Sequence, residues 1–166
     1  MITPSNIVLV CAATTTALVA GLFYSWSVSV TLGLARLPDH EYISAFQAMN
    51  RAILNPVFFA SFLGTVILLP LSTYMHYGQP VSGRFWFLLA ATVVYVVGVF
   101  GVTMVGNVPL NDALENFQLH TASAQEIAAQ RAKFEVPWNN LNTVRTIAST
   151  LAIVLVIIAC LDPKDN

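Results

Sequence analysis

Four apolar stretches, at about residues 7–34, 52–74, 85–106 and 142–161, alternate along the chain with shorter polar ones. About 20 apolar residues suffice to cross a bilayer, so each stretch predicts a spanning helix. The first has no charge before Arg36 and no basic start. It is longer than the apolar core of a cleavable signal peptide and reads as a retained span. After an Arg36–Asp39 turn, Tyr42, Ile43, Phe46, Met49 and Ile53 recur at helical spacing. That pattern predicts an interfacial amphipathic helix, capped by Asp39 and running on into the second span. Gly78–Gly83 reads as a tight loop, and Ser123-Ala124-Gln125-Glu126 has the form of a capping box. The helix it opens is expected to stop near Glu135, ended by Pro137, with the fourth span beginning at Asn142. Asp162–Asn166 is a solvated tail.

The prediction is an all-α fold, a four-transmembrane-helix up-down bundle forming one domain over residues 1–166. Both termini share one face, and the Asp39 and Ser123 helices share the other. Ala13, Ala17, Gly21, Ser25, Ser29 and Gly33 recur every fourth residue, as do Ala52, Pro56, Ala60 and Gly64. Such small-residue ridges are expected to let a neighbouring helix approach closely. A homo-oligomer is left open.

Composition agrees with the pattern. The 166 residues are 57% hydrophobic and 9% charged, against about 25% charged in a soluble domain. Mean hydropathy is +0.72. The net charge of −1 gives no electrostatic basis for a nucleic-acid partner, and membrane lipids are the expected surroundings. Cys11 and Cys160 read as small buried hydrophobes. Arg36, Arg51, Arg131, Lys133 and Arg145 fall on the second face, against Arg84 and Lys164 opposite. The positive-inside rule makes that face cytoplasmic and leaves the termini on the non-cytoplasmic side, in a cell inner membrane.

Three polar clusters interrupt the apolar pattern. Thr103–Asp112 carries Asn107 and Asn111 around Pro109, which removes a backbone donor and frees a carbonyl one turn earlier. Trp138, Asn142 and Arg145 lie at i, i+4 and i+7 on one helical face, and Arg51 and Asn55 are one turn apart. All sit at the second-face ends of their spans. An ionisable group in a membrane segment is costly and by default suggests function. Each residue also has an ordinary reading. The arginines can snorkel to headgroups, the amides can cap helices, Trp138 can anchor at the interface, and Asp112 can pair with an arginine.

In Gly21–Ser25, Met49–Pro56, Asn107–Asn111 and the Trp138…Asn142…Arg145-Thr146 pattern, the chain resembles the small membrane proteins of the DUF1772 type, grouped with fungal anthrone oxygenases. The resemblance covers nearly the whole chain in order and spacing. Members often have a histidine after the last asparagine, where this chain has Thr143. The resemblance implies oxidation of an anthrone, a hydrophobic aromatic small molecule, to an anthraquinone by O₂, with no metal or organic cofactor. Asp112 is then the candidate base. Arg51 and Arg145 hold the developing oxyanion, and Asn55, Asn107, Asn111, Trp138 and Asn142 are the substrate-binding candidates. Two other classes compete: a non-catalytic membrane binder or accessory protein using the same cluster, and, ranked last, a haem or metal protein using His40, His76 and His120.

Overall fold

The computed structural model describes residues 3–78 and 80–162, so most of the tail and one position of the Gly78–Gly83 loop lie outside the described residues. It is all-helical, with no strand among the described residues. Helix α1 covers Pro4–Leu34, α2 Asp39–Ile53, α3 Pro56–Met75, α4 Gly83–Glu115 and α5 Ala124–Leu161. All but α2 are long and apolar enough to cross a membrane, and the chain is a multi-pass integral membrane protein. Each long helix packs on two others in a ring: α1 on α3, α3 on α4, α4 on α5, and α5 back on α1. The up-down order follows from short connections between sequential neighbours.

Two hydrophobic clusters share the interior. Leu9, Ala12, Val19, Phe62, Leu69, Leu88, Val99 and Val156 belong to the one between the spans. The other lies at the α2 end, where Tyr42, Ile43 and Phe46 meet Leu114, Phe134 and Trp138. Gln47 tethers α2 by donating to the Leu114 and Phe117 carbonyls at 2.8 and 3.1 Å, as a second donor to acceptors that already take a backbone amide at the end of α4.

Several local expectations are corrected. α2 does not run into α3: the chain breaks at Leu54 and Asn55, with Asn55 in extended backbone. Proline disfavours helical geometry in the residue before it, and Pro56 then starts α3 with Asn55 as its cap. Asp39 is the first residue of α2 rather than its cap. Pro137 does not end a helix, because α5 continues through it to Leu161. Proline removes one backbone bond, and tertiary packing on both sides of it here holds the helix together. Cys11 and Cys160 are exposed on the bundle's outer surface.

The small-residue ridge of α1 does not make the bundle contact. Ala17, Gly21, Ser25 and Ser29 are exposed, and a Cβ at Gly21 or Gly33 would meet nothing within 4 Å. A four-residue repeat drifts about 40° per step around a helix, so it spirals off any one face. The buried stripe is instead Leu9, Ala12, Thr16, Val19, Ala20 and Phe23. Close approach occurs between α4 and α5, where a Cβ at Gly98 would lie 2.7 Å from that of Ala148.

Two helices carry widened turns. Trp26–Val30 in α1, and Val96–Gly101 and Thr103–Asn107 in α4, are π-helical. The Thr31 amide bonds back to Trp26 and the Val108 amide to Thr103, each five residues earlier. The last widening directly precedes Pro109, whose missing donor disturbs the normal ladder one turn back. Single π-turns of this kind occur often at functional sites.

Candidate functional site

The first and last π-turns and the middle of α5 converge on a chamber of about 100 Å³ to which all five helices contribute. Its walls are mostly apolar, from Leu22, Phe23, Trp26, Met49 and Phe58, with Asn50, Thr103, Asn111, Asn142 and Arg145 as polar residues. Trp26, Phe46 and Trp138 form an aromatic cluster with ring centres 4.8–5.4 Å apart. The Trp138 indole donates to Asn111 Oδ1 at 2.7 Å, which fixes both side chains.

Arg145 is the one charge in this lining. Only 5% of it is exposed. Its Nη2 donates to Asn142 Oδ1 at 2.9 Å, and Nη1 reaches Thr103 Oγ1 at 3.5 Å. The guanidinium lies 4.4 Å from the Phe23 ring centre and 5.3 Å from that of Trp138. Nε has no partner, and none of the ion pairs among the described residues includes Arg145. Each ring offers on the order of 0.5–2 kcal/mol. Burying an ion costs several kcal/mol even after relaxation. The rings and one good hydrogen bond leave that cost only partly offset, so the cavity favours an anion beside the guanidinium.

Asn142 is held in turn. Its Nδ2 donates to Ser27 Oγ at 2.9 Å, and Ser27 Oγ lies 2.8 Å from Thr146 Oγ1. Thr146 donates to the Phe23 and Asn142 carbonyls. With its amide nitrogen occupied, Asn142 turns its oxygen to Arg145. Ser27 belongs to the first π-turn and Thr103 opens the last, so the irregular backbone delivers one partner to the arginine itself and another to the Asn142 that accepts from it.

Four of the sequence candidates, Asn111, Trp138, Asn142 and Arg145, therefore line one chamber. Arg51 and Asp112 lie in an adjoining groove of about 160 Å³, which shares Asn50, Ile53, Leu54, Val108 and Asn111 with it. There Arg51 pairs with Glu115 at 2.6 Å, while Asp112 is exposed and in none of the ion pairs among the described residues. Asn55 is spent on capping: Oδ1 accepts from the Val57 and Phe58 amides, and Nδ2 donates to the Ala52 carbonyl. Asn107 is 1% exposed, does not line the chamber, and has no partner for either amide atom. Thr103, Ser27, Phe23, Trp26 and Glu115 were not among the sequence candidates. A run from Thr103 to Asn111 with three polar residues in an apolar span carried a signal for the first, but nothing local marked Ser27. His40, His76 and His120 enter no group of three or more metal-ligating side chains among the described residues.

No curated protein and no solved structure gives a significant match to the chain. The family model described as anthrone oxygenase matches residues 46–155, from the second half of α2 into α5. That range holds every polar residue of the chamber except Ser27 beside it, and covers well over half of the chain. On that match, the chain belongs to the anthrone oxygenase family.

Proposed function

We propose that the protein is a membrane oxygenase that oxidises an anthrone-like polycyclic phenol with O₂, binding it against Arg145. The observation that carries this reading is a buried guanidinium with a free Nε and no carboxylate partner among the described residues, facing an aromatic-walled cavity. Loss of a methylene proton converts an anthrone into an electron-rich phenolate-type anion. Its oxygen would accept from Arg145, and its rings would lie among Phe23, Trp26 and Trp138. The carbanionic carbon then gives electrons to O₂. One oxygen atom ends as the new quinone carbonyl, and the other leaves as water with the two hydrogens of the methylene. Preorganised donors aimed at developing charge usually make the largest single contribution to such a reaction.

Asp112 is the candidate proton acceptor, from the adjoining groove beside Arg51. Purified protein in lipid should consume O₂ with an anthrone and release the anthraquinone. Asp112→Asn should suppress that activity, with partial recovery at high pH as the substrate ionises unaided. One observation favours a second reading, a small-molecule binder: no carboxylate or imidazole lines the chamber itself. Tight binding of anthrones by folded protein, with no O₂ uptake on any of them, would replace the first reading with the second.

We also infer that the α2 end faces the cytoplasm of a cell whose inner membrane holds the protein, because Arg36, Arg51, Arg131 and Lys133 gather there and Arg84 stands opposite. Single cysteines at Ser5 and Ser123, in a background lacking Cys11 and Cys160, should label from opposite sides, Ser5 from outside. Labelling from the same side would refute the arrangement.

A further inference from the structure

A second groove abuts the chamber and opens on the outer surface of the bundle. An apolar groove of about 280 Å³ runs between α1 and α3, just where the Leu54–Asn55 break takes α2 off the axis of α3. Leu22, Ile53 and Phe58 line both the groove and the chamber, so the two volumes share a wall. The outer lip is Leu18 and Val57, which are 58% and 78% exposed on the outer surface of the bundle.

The groove holds two polar residues, and both are already hydrogen-bonded to the backbone. The Asn55 amide caps α3, and Ser61 Oγ donates to the Val57 carbonyl at 3.3 Å. What remains towards a visitor is hydrocarbon. The other opening differs in kind, because Arg51, Asp112 and Glu115 crowd it. Driving an uncharged fused-ring molecule past those groups would strip their water, and burying charge costs far more than burying a methylene.

We propose that the two openings divide the traffic. The apolar polycyclic substrate passes from the bilayer through the α1–α3 groove, with Leu22, Ile53 and Phe58 as the threshold, while water and protons use the Arg51–Asp112–Glu115 side. This rests on the oxygenase reading for the chemistry of the ligand but not for the route. The size of the chamber supports it, since ligand pockets usually run from about 300 Å³ upward. At about 100 Å³ the chamber holds only part of a three-ring molecule. The rest would extend into the groove, with the oxygen end at Arg145.

The test uses protein reconstituted in lipid vesicles containing benzophenone, an apolar aryl ketone that cross-links on irradiation. Peptide mapping should find label at Leu18 or Val57 on the lip and at Met49 inside the chamber. Ser61→Phe, which fills the groove without touching the chamber, should cut the rate of Met49 labelling about tenfold, the effect of roughly 1.4 kcal/mol of added barrier. Ile67→Phe, on an exposed part of the same helix, should leave it unchanged. Should Ser61→Phe fail to fold, Leu18→Phe fills the same lip from α1. Wild-type labelling of Met49 in a folded, filled variant would overturn the route, as would loss of that labelling only when Glu115→Phe blocks the charged side. Labelling needs no turnover, so the outcomes separate. An intact pattern without O₂ uptake leaves the route standing and removes the oxygenase reading, and the reverse result removes the route alone.

Discussion

Arg131 and Arg145 lie on the same face-to-face run of α5, about four helical turns apart, and their surroundings are opposites. Arg131 spends its whole guanidinium on the protein. It donates to the Ala35 and Leu37 carbonyls, pairs with Asp39 at 2.9 Å and Glu135 at 2.8 Å, and lies 4.4 Å over the Tyr42 ring. That single side chain ties the α1–α2 turn and the start of α2 to α5. Arg145 has one good hydrogen bond, one long one, two aromatic faces and no carboxylate. The same residue type is thus a fastening in one place and an unspent donor in the other. The difference lies in whether its charge is balanced by the protein, which is why only the second suggests a ligand.

The largest expected effect of breaking this contrast is on Arg145. Arg145→Met keeps most of the apolar stem and deletes the donors. Turnover should fall by about 10²–10³, the usual loss for one well-placed donor to an oxyanion. The melting temperature in detergent should hold or rise, since an uncompensated buried charge is removed. Arg145→Lys should recover little, because an ammonium lacks the planar fork and stacks poorly between Phe23 and Trp138. Full O₂-dependent activity in folded Arg145→Met would take the residue out of the mechanism and leave it a buried structural cation.

Arg131→Met should show the reverse, a loss of about 2 kcal/mol of stability with little change in turnover per folded molecule. Hydrogen bonds to charged groups contribute about 1.5–3 kcal/mol each when shielded, and the partial exposure of Asp39 discounts the sum. Thermal unfolding followed by helix content, with O₂ uptake measured on the surviving fraction, separates the two quantities. If Arg131→Met lowers turnover as much as Arg145→Met, the clamp and the chamber are coupled and the contrast fails.

The spans and their up-down order were legible because charge-free length and aromatic boundaries depend only on composition along the chain. The polar face of α5 was legible for the same kind of reason: Trp138, Asn142 and Arg145 obey a regular helical period, and α5 is regular there. Where the period changes, the reading failed. Each π-turn inserts an extra residue and rotates everything beyond it. Asn107, which ends the last π-turn, is buried away from the chamber, while Asn111, in the regular helix beyond it, lines the chamber. Ser27 reaches Asn142 across 115 positions of chain, a contact with no local signature. The Arg51 partner was also hidden. Asp112 and Glu115 are both on α4 and both lie beside Arg51, and only the set of the helix selects Glu115.

The smallest expected effect concerns Tyr42, the ring that Arg131 covers. Burial pushes its hydroxyl well above the usual tyrosine range, the negative charge of Glu135 adds to the shift, and Arg131 opposes it. A raised value in the folded protein means that folding keeps the proton on. Below the ordinary tyrosine value of about 10 the ring is neutral in both states, so the stability it contributes is intact. Above that, the unfolded chain sheds the proton and the folded one does not. Stability then falls by up to about 1.4 kcal/mol per pH unit until the folded value is reached. Tyr42→Phe keeps the aromatic face under Arg131 and removes the titration. The variant should match the wild type at pH 7 and lose less stability between pH 10 and 11, since the two proteins differ only in the Tyr42 hydroxyl. Melting curves across that range measure the difference directly. Identical alkaline slopes in the two proteins would mean that Tyr42 ionises freely, and that the Arg131 clamp is looser than the enclosed guanidinium of Arg145.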